Sequence, residues 1–361
     1  MRAGLLVLVL ALALALDEWK VARPDYEWSF PRDHWAHEGY RTEWWYFTGH
    51  LGERFTYQFT FFRIGVLRER PDLTSSWTAT SLVMGHAALT DLETKRHLFS
   101  EVLYREIPLL AGYSNFPEPR IGWSRAPAGT DDVWSLDWNG EGFDFAARDQ
   151  SEGFGFRLST RPKKPLVFQG PGGFSRKGEG EGAASHYYSL TRLETKGVVE
   201  LAGERIEVTG ESWMDKEFSS SQLAENQVGW DWFSLRLDDG RELMLYLMRA
   251  ENGTVDYANG TMVDEEGKTA YLDRSAFEVA VLDHWTSPAT AARYPSKWRI
   301  WVAGLDLRVI SAVPDQENRS RLPRGVYYWE GAVLVETSDG KPIGRGFVEM
   351  TGYGEGNRPP V

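Results

Sequence analysis

A run of alternating aromatic residues near the amino terminus constrains the fold of this chain more strongly than any other feature. Phe55, Tyr57, Phe59 and Phe61 are separated by polar residues. Because the side chains of a β-strand point alternately to its two faces, this period of two indicates a half-buried strand. An equally aromatic stretch at residues 43–51 precedes it, with room for a turn between the two. These features predict a β-hairpin.

The hairpin pattern returns in the second half of the chain, displaced by 186 positions and without a gap. Trp44 then corresponds to Trp230 and Tyr46 to Trp232, and Asp239 with the glycine after it marks the second turn. Two weaker similarities follow in the same order, at residues 90–95 and 263–268 and at residues 186–188 and 326–328. An ordered series of matches predicts a duplicated β domain.

The rest of the chain consists of short apolar or alternating segments separated by clusters of proline, glycine, asparagine and aspartate. This spacing is typical of an antiparallel all-β meander or barrel. We expect one domain at residues 17–225 and a second at residues 226–361, joined near residues 218–227. A proline- and glycine-rich stretch, residues 162–182, is predicted to be a long mobile loop, with a lid as one interpretation.

Composition limits the partners of the protein. Its 361 residues include 40 basic and 52 acidic side chains, a net charge of −12 that argues against a nucleic-acid or anionic-membrane surface. An apolar run follows Arg2, so residues 1–15 are predicted to be a signal peptide of an exported protein, periplasmic or secreted, without an integral membrane segment. Cysteine is absent, which excludes disulfides. The 16 tryptophans suit a pocket for an apolar ligand, although two well-packed cores would also use them.

Two acidic residues beside a tryptophan form the first candidate site. In a strand, Trp213, Asp215 and Glu217 share one face, with neighbouring side chains roughly 7 Å apart. Burial of such carboxyl groups raises the pKa of one of them, as a general acid near neutral pH requires. The alternative is that both carboxyl groups face solvent or pair with arginines at a domain junction.

Glu43 and two histidines are further candidates. Glu43 shares a strand face with Trp45 and is interpreted either as a buried, hydrogen-bonded strut or as a pocket acid. His86 lies on an apolar strand face, and His186 precedes two tyrosines, the second of which is Tyr188. Each histidine is either a core residue or a catalytic base.

No metal or cofactor is predicted. His34 and His37 have the spacing of metal ligands, but the sequence places no third ligand beside them. The chain contains neither a Gly-x-Ser-x-Gly elbow nor a His-Glu-x-x-His motif. Ordinary hydrolases therefore have little support.

Four motifs resemble those of the AttH-like family, which includes carotenoid 1,2-hydratase. They lie at residues 42–51, 210–218, 229–233 and 328–332, and they include Glu-Trp-Trp-Tyr and Trp-x-Asp-x-Glu blocks. The resemblance implies a tandem pair of lipocalin-like antiparallel β-barrels. It also implies relatives that act on apolar polyenes, by adding water to a terminal double bond or, in fungi, by guiding a cycloaddition. Exported members resemble accessory proteins of lipoprotein-release-type ABC transporters.

Three functions remain open at this point. The first is an exported two-domain protein that binds a small apolar or amphipathic molecule, in the service of an ABC transporter. The second is a cofactor-free hydro-lyase of the carotenoid 1,2-hydratase type, acting on an isoprenoid. The third is a structural protein whose tryptophans only fill cores. The residues expected to contact a ligand are Trp45, Tyr46, His186, Tyr188, Trp213, Trp230 and Trp232.

The physical case for the hydratase assigns a role to each group. Protonation of a double bond requires a desolvated acid, for which Asp215 and Glu217 are the candidates. The carbocation that results is stabilised by aromatic faces. His86 is the candidate base that activates water, and Glu43 is the alternative pocket acid.

Overall fold

The predicted aromatic hairpin is present as strands β1 (Thr42–Leu51) and β2 (Phe55–Gly65). The two strands pair along their whole length, with Trp45 opposite Phe61 and Leu51 opposite Phe55. The side chains of two directly opposite residues therefore point to the same face of the hairpin, and successive residues alternate between its two faces.

The computed structural model describes residues 19–69, 75–180, 182–221, 223–322, 324–354 and 357–359. The expected signal peptide, residues 1–15, lies outside the described residues. In the described part of the chain, no helix has the length and apolar composition of a membrane span. The helices in this described part are two short 3₁₀ helices, Arg32–His34 and Pro171–Gly173.

The first sheet contains thirteen antiparallel strands and is built around the hairpin. Besides β1 and β2 it contains β3 (Ser81–Asp91), β4 (Arg96–Arg105), β5 (Ala111–Tyr113), β6 (Arg120–Arg125), β7 (Val133–Trp138), β8 (Phe143–Asp149), β9 (Phe154–Pro162), β10 (Val167–Phe168), β11 (Phe174–Arg176), β12 (Ala184–Leu201) and β13 (Glu204–Ser219). Its strand order is β4-β3-β2-β1-β13-β12-β9-β8-β7-β6-β5, with β10 and β11 also paired to β12. Strand β4 approaches β5 and β6, so the sheet curls into a nearly closed barrel.

The second sheet repeats the order of the first. Its ten strands are β14 (Gln227–Leu237), β15 (Glu242–Ala250), β16 (Val255–Val263), β17 (Thr269–Leu272), β18 (Phe277–Thr286), β19 (Arg293–Val302), β20 (Leu305–Ser311), β21 (Glu317–Arg321), β22 (Arg324–Thr337) and β23 (Pro342–Met350). They follow the order β17-β16-β15-β14-β23-β22-β20-β19-β18, with β21 paired to β22. Nine consecutive strands of the two sheets thus correspond one to one. The prediction of an all-β fold with a tandem lipocalin-like architecture is confirmed.

Aromatic side chains fill the inside of the first barrel. Trp45, Phe47 and Phe59 are completely buried there, and the rings of Phe59 and Phe145 stack with their centroids 5.1 Å apart. Trp134 is buried in the same cluster. The interior of this barrel is therefore a packed core, as the core-filling interpretation of the tryptophans expected.

The opposite face of the hairpin packs against the second sheet. Tyr46 of β1 meets Trp232 of β14 edge to face, with ring centroids 5.2 Å apart. Met244 and Phe347 of the second sheet belong to the same buried cluster, together with Tyr187 of the first. The junction of the two sheets is consequently a second aromatic core.

The stretch at residues 162–182 differs from the predicted mobile loop. Its strands β10 and β11 pair with β12, and the Tyr246 hydroxyl of the second sheet donates a hydrogen bond to the Arg176 carbonyl. Lys164 pairs with Glu242 at 2.8 Å. A glycine-rich sequence gives no signal for very short strands that pair with a long neighbouring strand, which explains the difference.

Candidate active site between the two sheets

A narrow cavity of about 80 Å³ lies between the two sheets. It has room for several water molecules or for the reacting end of a slender ligand. An adjoining cavity of about 90 Å³ shares Phe62, Trp230, Tyr328 and Glu349 with it and extends towards His86. Aromatic rings from both sheets line the first cavity, among them Trp44, Tyr46, Tyr187, Trp230, Trp232 and Tyr246.

Asp215 is the first acid of this cavity. It is 3% exposed, and its Oδ1 accepts hydrogen bonds from Ser189 and, at 2.7 Å, from the indole of Trp213. Its Oδ2 accepts one from the Tyr187 hydroxyl at 2.7 Å. Burial raises the pKa of Asp215 to about 7 even though these donors favour the ionised form. The group is therefore poised to gain or lose a proton near neutral pH.

Glu217 faces the same cavity from two residues further along β13, as the alternation predicted. Lys177 approaches its Oε1 at 2.8 Å, and the Ser185 hydroxyl donates to the same oxygen. The Lys177 ammonium also lies 4.2 Å from the ring centroid of Tyr246. Glu217 is thus committed to an ion pair, and Asp215 is the freer of the two acids.

The second sheet contributes a pair of glutamates. Glu330 of β22 and Glu349 of β23 lie directly opposite each other, and both line the cavity. Burial and the neighbouring Glu349 raise the pKa of Glu330 well above its ordinary value. Burial raises the pKa of Glu349 to about 7, although Trp230 donates a hydrogen bond to its Oε2 at 3.2 Å. The cavity therefore holds three carboxyl groups with raised pKa values.

His86 lies in the adjoining cavity. Its Nδ1 is 2.7 Å from the Tyr328 hydroxyl, and its side chain is 6% exposed. Burial lowers the pKa of His86 to about 3. The imidazole is neutral at physiological pH and too weakly basic to activate water well. The carboxylates of the main cavity are better placed and better matched for that role.

A family model described as AttH-like matches residues 21–353. The chain belongs to the AttH-like family. A crystal structure of an AttH homologue from Nitrosomonas europaea is 32% identical, with a TM-score of 0.80 over 92% of this chain and 99% of that one. Kievitone hydratase from Nectria haematococca is 15% identical, with a TM-score of 0.62 over 90% of this chain and 92% of that one, which shows the fold alone. No curated protein matches the chain.

Glu43, the other predicted acid of this AttH-like chain, lies on the opposite side of the hairpin. It is completely buried and forms ion pairs with His37 at 2.6 Å, Arg63 at 3.3 Å and Lys216. Burial alone would raise the pKa of Glu43, but Lys216, His37 and Arg63 outweigh it and hold this pKa well below its ordinary value. The Lys216 ammonium lies 3.5 Å from the ring centroid of Trp45. The arrangement fits the buried strut that the sequence left open.

Three predicted ligand-binding residues share that location. Trp45 is completely buried in the barrel core, and the Tyr188 hydroxyl lies 2.6 Å from Nδ1 of His34. Burial lowers the pKa of His186, which is 1% exposed, to about 4. Trp45, His186 and Tyr188 therefore do not line the cavity between the sheets. Tyr46, Trp230 and Trp232 do line it, and Trp213 touches it through its hydrogen bond to Asp215.

Sequence reasoning missed Glu330, Glu349 and Lys177. The duplication carried a usable signal for one of them, because Tyr46 is opposite Asp215 and the corresponding Trp232 is opposite Glu349. Lys177 reaches the cavity from the segment that was expected to be mobile, so no pattern in the sequence pointed to it. Among the described residues, no group of three or more histidines and acids is arranged to hold a metal ion.

Proposed function

We propose that this AttH-like protein binds a small, largely apolar olefin between its two sheets and adds water to it without a cofactor. The observation that carries the proposal is Asp215, an acid that lines an aromatic cavity and whose pKa burial raises to about 7. A binding protein has no need of such a group, whereas protonation of a double bond does.

The chemistry requires two proton transfers. The O–H bond of Asp215 breaks as a C–H bond forms on one olefinic carbon, and the other carbon becomes a cation beside the rings of Trp230 and Trp232. Water then bonds to that carbon, and its surplus proton passes to an ionised carboxylate, for which Glu349 is placed. One proton transfer between neighbouring carboxyl groups restores the site, so the net change is the addition of water.

The proposed proton donor is held in place by a chain of hydrogen bonds. The indole of Trp232 donates to the Tyr187 hydroxyl at 3.1 Å, and that hydroxyl donates to Asp215. Trp232 belongs to the second sheet, and Tyr187 belongs to the first. The chain therefore fixes the carboxyl group relative to both walls of the cavity, as an acid catalyst requires.

A second candidate function is binding without chemistry, by an exported protein that serves an ABC transporter. The apolar and aromatic lining of both cavities favours a ligand of low polarity. The three hydrogen bonds to Asp215 also suit a structural acid. Export rests on the predicted signal peptide at residues 1–15, and the transporter role rests on the family resemblance.

The experiment is turnover of a panel of short isoprenoid olefins by the purified mature protein. We expect a product heavier by one water, labelled when the reaction is run in ¹⁸O-water. Asp215→Asn should lower kcat at least about a hundredfold and leave binding, measured by tryptophan fluorescence, within a few-fold. Asp131→Asn, at a fully exposed aspartate, is the matched control and should leave both unchanged.

The alternative outcomes separate the candidates. Saturable binding with every compound recovered unchanged would contradict the hydratase and leave the binding function. Full activity in Asp215→Asn would remove Asp215 from the mechanism.

A further inference from the structure

The cavity between the sheets has an imbalance of charge. Four carboxyl groups line it, those of Asp215, Glu217, Glu330 and Glu349. Among the described lining residues Lys177 is the one cation, and it already pairs with Glu217. Three acids, the buried Asp215 and Glu330 and the partly buried Glu349, therefore share a small space without a positive partner, which is costly unless they are protonated or a cation joins them.

The two glutamates of the second sheet concentrate this imbalance. Glu330 and Glu349 are directly opposite on neighbouring antiparallel strands, where like charges are destabilising. The equivalent pair in the first sheet is Ser189 and Asp215, a hydroxyl that donates to a carboxylate. The second copy thus carries an acid where the first has a neutral donor. Packing alone does not account for two acids at this position.

Several polar atoms that line the cavity lack a hydrogen-bond partner. They are Oε1 of Glu330, the hydroxyl of Tyr46 and Oε1 of Gln58, all in side chains at least 94% buried. The hydroxyls of Tyr46 and Tyr328 lie beside the Glu330 carboxyl group and favour its ionised form, although Oε1 of Glu330 and the Tyr46 hydroxyl do not reach full hydrogen-bond geometry. A buried polar atom without a partner costs roughly 1–3 kcal/mol. Oε1 of Gln58 and Oε1 of Glu330 thus leave acceptor positions in the cavity that a bound ligand can fill.

The rings around these oxygens are suited to a cation. Trp230, Trp232, Tyr46 and Tyr328 line the same cavity as Glu330 and Glu349. A positive charge over an aromatic face is attracted by the ring quadrupole, most strongly when it is desolvated. Aromatic faces combined with unpaired carboxyl oxygens are the two elements of an organic-cation site.

We propose that the cavity selects a compact organic cation with apolar substituents, and that Glu330 and Glu349 recognise its charge. This specificity rests on the proposed function for its location and deepens it. The cavity is complementary to the cationic intermediate of water addition more than to the neutral olefin. Quaternary ammonium compounds are stable cations with apolar substituents and therefore serve as probes of this specificity.

Binding of a cation is expected to depend on pH. Burial raises the pKa of Glu349 to about 7 and that of Glu330 well above its ordinary value, so a cation that pairs with these two groups displaces protons from them. Affinity should therefore rise with pH through neutrality, by up to tenfold per pH unit for each proton displaced. The titratable groups that face the two glutamates are Tyr46 (β1), Tyr187 (β12), Asp215 and Glu217 (β13), Tyr246 (β15), Tyr328 (β22), Lys177 and, through Tyr328, His86.

The experiment compares choline with dimethylbutanol, its neutral isostere in which a quaternary carbon replaces the nitrogen. Calorimetry at pH 8 on the full-length mature protein should show choline binding at least about tenfold more tightly than the isostere. Heats measured at pH 6.5 in phosphate and in the zwitterionic buffer ACES, which differ in ionisation enthalpy, should differ because protons are released. Glu330→Gln and Glu349→Gln should each reduce the preference severalfold, whereas Glu141→Gln, at an exposed surface ion pair, should leave it unchanged.

Other outcomes would overturn the proposal in distinguishable ways. Equal affinity for choline and dimethylbutanol in the wild-type protein refutes the selection of a cation and leaves the olefin site standing. A choline preference that survives in the Glu330→Gln/Glu349→Gln double variant refutes the assignment of these two residues. If neither probe binds although olefins are hydrated, the cation specificity fails and the proposed function does not.

Discussion

At the scale of single residues, the pKa values of the cavity follow from burial in a site that is short of positive charge. Asp215 and Glu349 come from equivalent strands of the two sheets, and burial raises the pKa of each to about 7. Glu43 is buried to a greater extent but has Lys216 and Arg63 beside it and a hydrogen bond with His37, so its pKa moves in the opposite direction. Burial alone therefore does not make a catalytic acid; the absence of a partner charge decides the direction.

Glu349 allows a test of this argument through stability. Its folded-state pKa of about 7 lies above the ordinary 4.5. Its contribution to stability is therefore complete below pH 4.5 and is lost as the pH rises through 7. Glu349→Gln should gain stability relative to the wild type across this window, by about 1–2 kcal/mol at pH 8 after solvent screening. Urea unfolding at pH 4.5 and pH 8 measures the difference.

Comparing Glu349→Gln with the wild type removes the effect of the other titratable groups, because both proteins contain them. His34 and His86 have pKa values that burial lowers to about 3, so they destabilise wild type and variant alike as the pH falls below 6.5. Glu141→Gln serves as the surface control and should show no pH-dependent difference. A Glu349→Gln difference that is flat with pH would contradict the raised pKa.

Residue parity explains how far the site could be predicted. The alternation in β13 correctly placed Asp215 and Glu217 on one face, because a strand has a period of two. The same rule separates Trp45 from Tyr46, since neighbours in a strand face opposite sides. The sequence could not say which face of the hairpin meets the second sheet, so residues from both faces were proposed. Only the packing of the sheets resolves that choice.

At the scale of elements, the segment at residues 162–182 has the largest difference between expectation and structure. Glycine and proline indicated a loop, but neither reports the pairing of β10 and β11 with β12. Lys164 and Lys177 are anchored by buried carboxylates, those of Glu242 and Glu217. The glycine and proline content of the segment thus predicts its turns, but the residues that hold the segment in place belong to distant parts of the chain.

Limited proteolysis tests whether this segment is held. Under native conditions trypsin should cleave slowly after Arg176 and Lys177, because a protease needs an extended, accessible backbone. Tyr246→Phe removes the hydroxyl that binds the Arg176 carbonyl and should raise the rate of cleavage at residues 176–177 severalfold. Tyr271→Phe, at an exposed tyrosine of β17, is the control. Rapid cleavage of the wild type within the segment would restore the mobile-loop interpretation.

At the scale of the whole molecule, buried ion pairs tie the two sheets together. Glu242 of the second sheet is completely buried, and it contacts Lys164 at 2.8 Å and Arg192 at 2.7 Å, both from the first half of the chain. The shared aromatic cluster adds apolar burial to the same junction. We therefore expect the two halves to unfold as one cooperative unit.

Glu242→Gln tests this coupling. The change leaves Lys164 without a carboxylate partner in a largely buried site and leaves Arg192 with Glu211 alone, which should lower the free energy of unfolding by about 3 kcal/mol. Urea transitions followed by tryptophan fluorescence and by circular dichroism should coincide in the wild type. Glu278→Gln, at an exposed position of β18, should unfold as the wild type does. Two separate transitions in the wild-type protein would show that the sheets are energetically independent.

The overall architecture was the most predictable level. The displacement of 186 positions between the hairpins reflects real equivalence, because β1 and β14 occupy the same place in two sheets of the same strand order. Local alternation and turn residues determine strands and hairpins. They contain no information on which faces of two sheets meet, and the location of the cavity depends on that contact.

The repetition of strand order has one more consequence, which concerns symmetry. A dimer of identical subunits must present every group at its axis twice, so its central site is restricted to matching halves. Here the two halves are parts of one chain, and each position can diverge independently. Tyr46 beside Asp215 has become Trp232 beside Glu349, and Ser189 has become Glu330. Because both sheets belong to one chain, a fold with an internal repeat can hold an asymmetric site that distinguishes the two ends of its ligand.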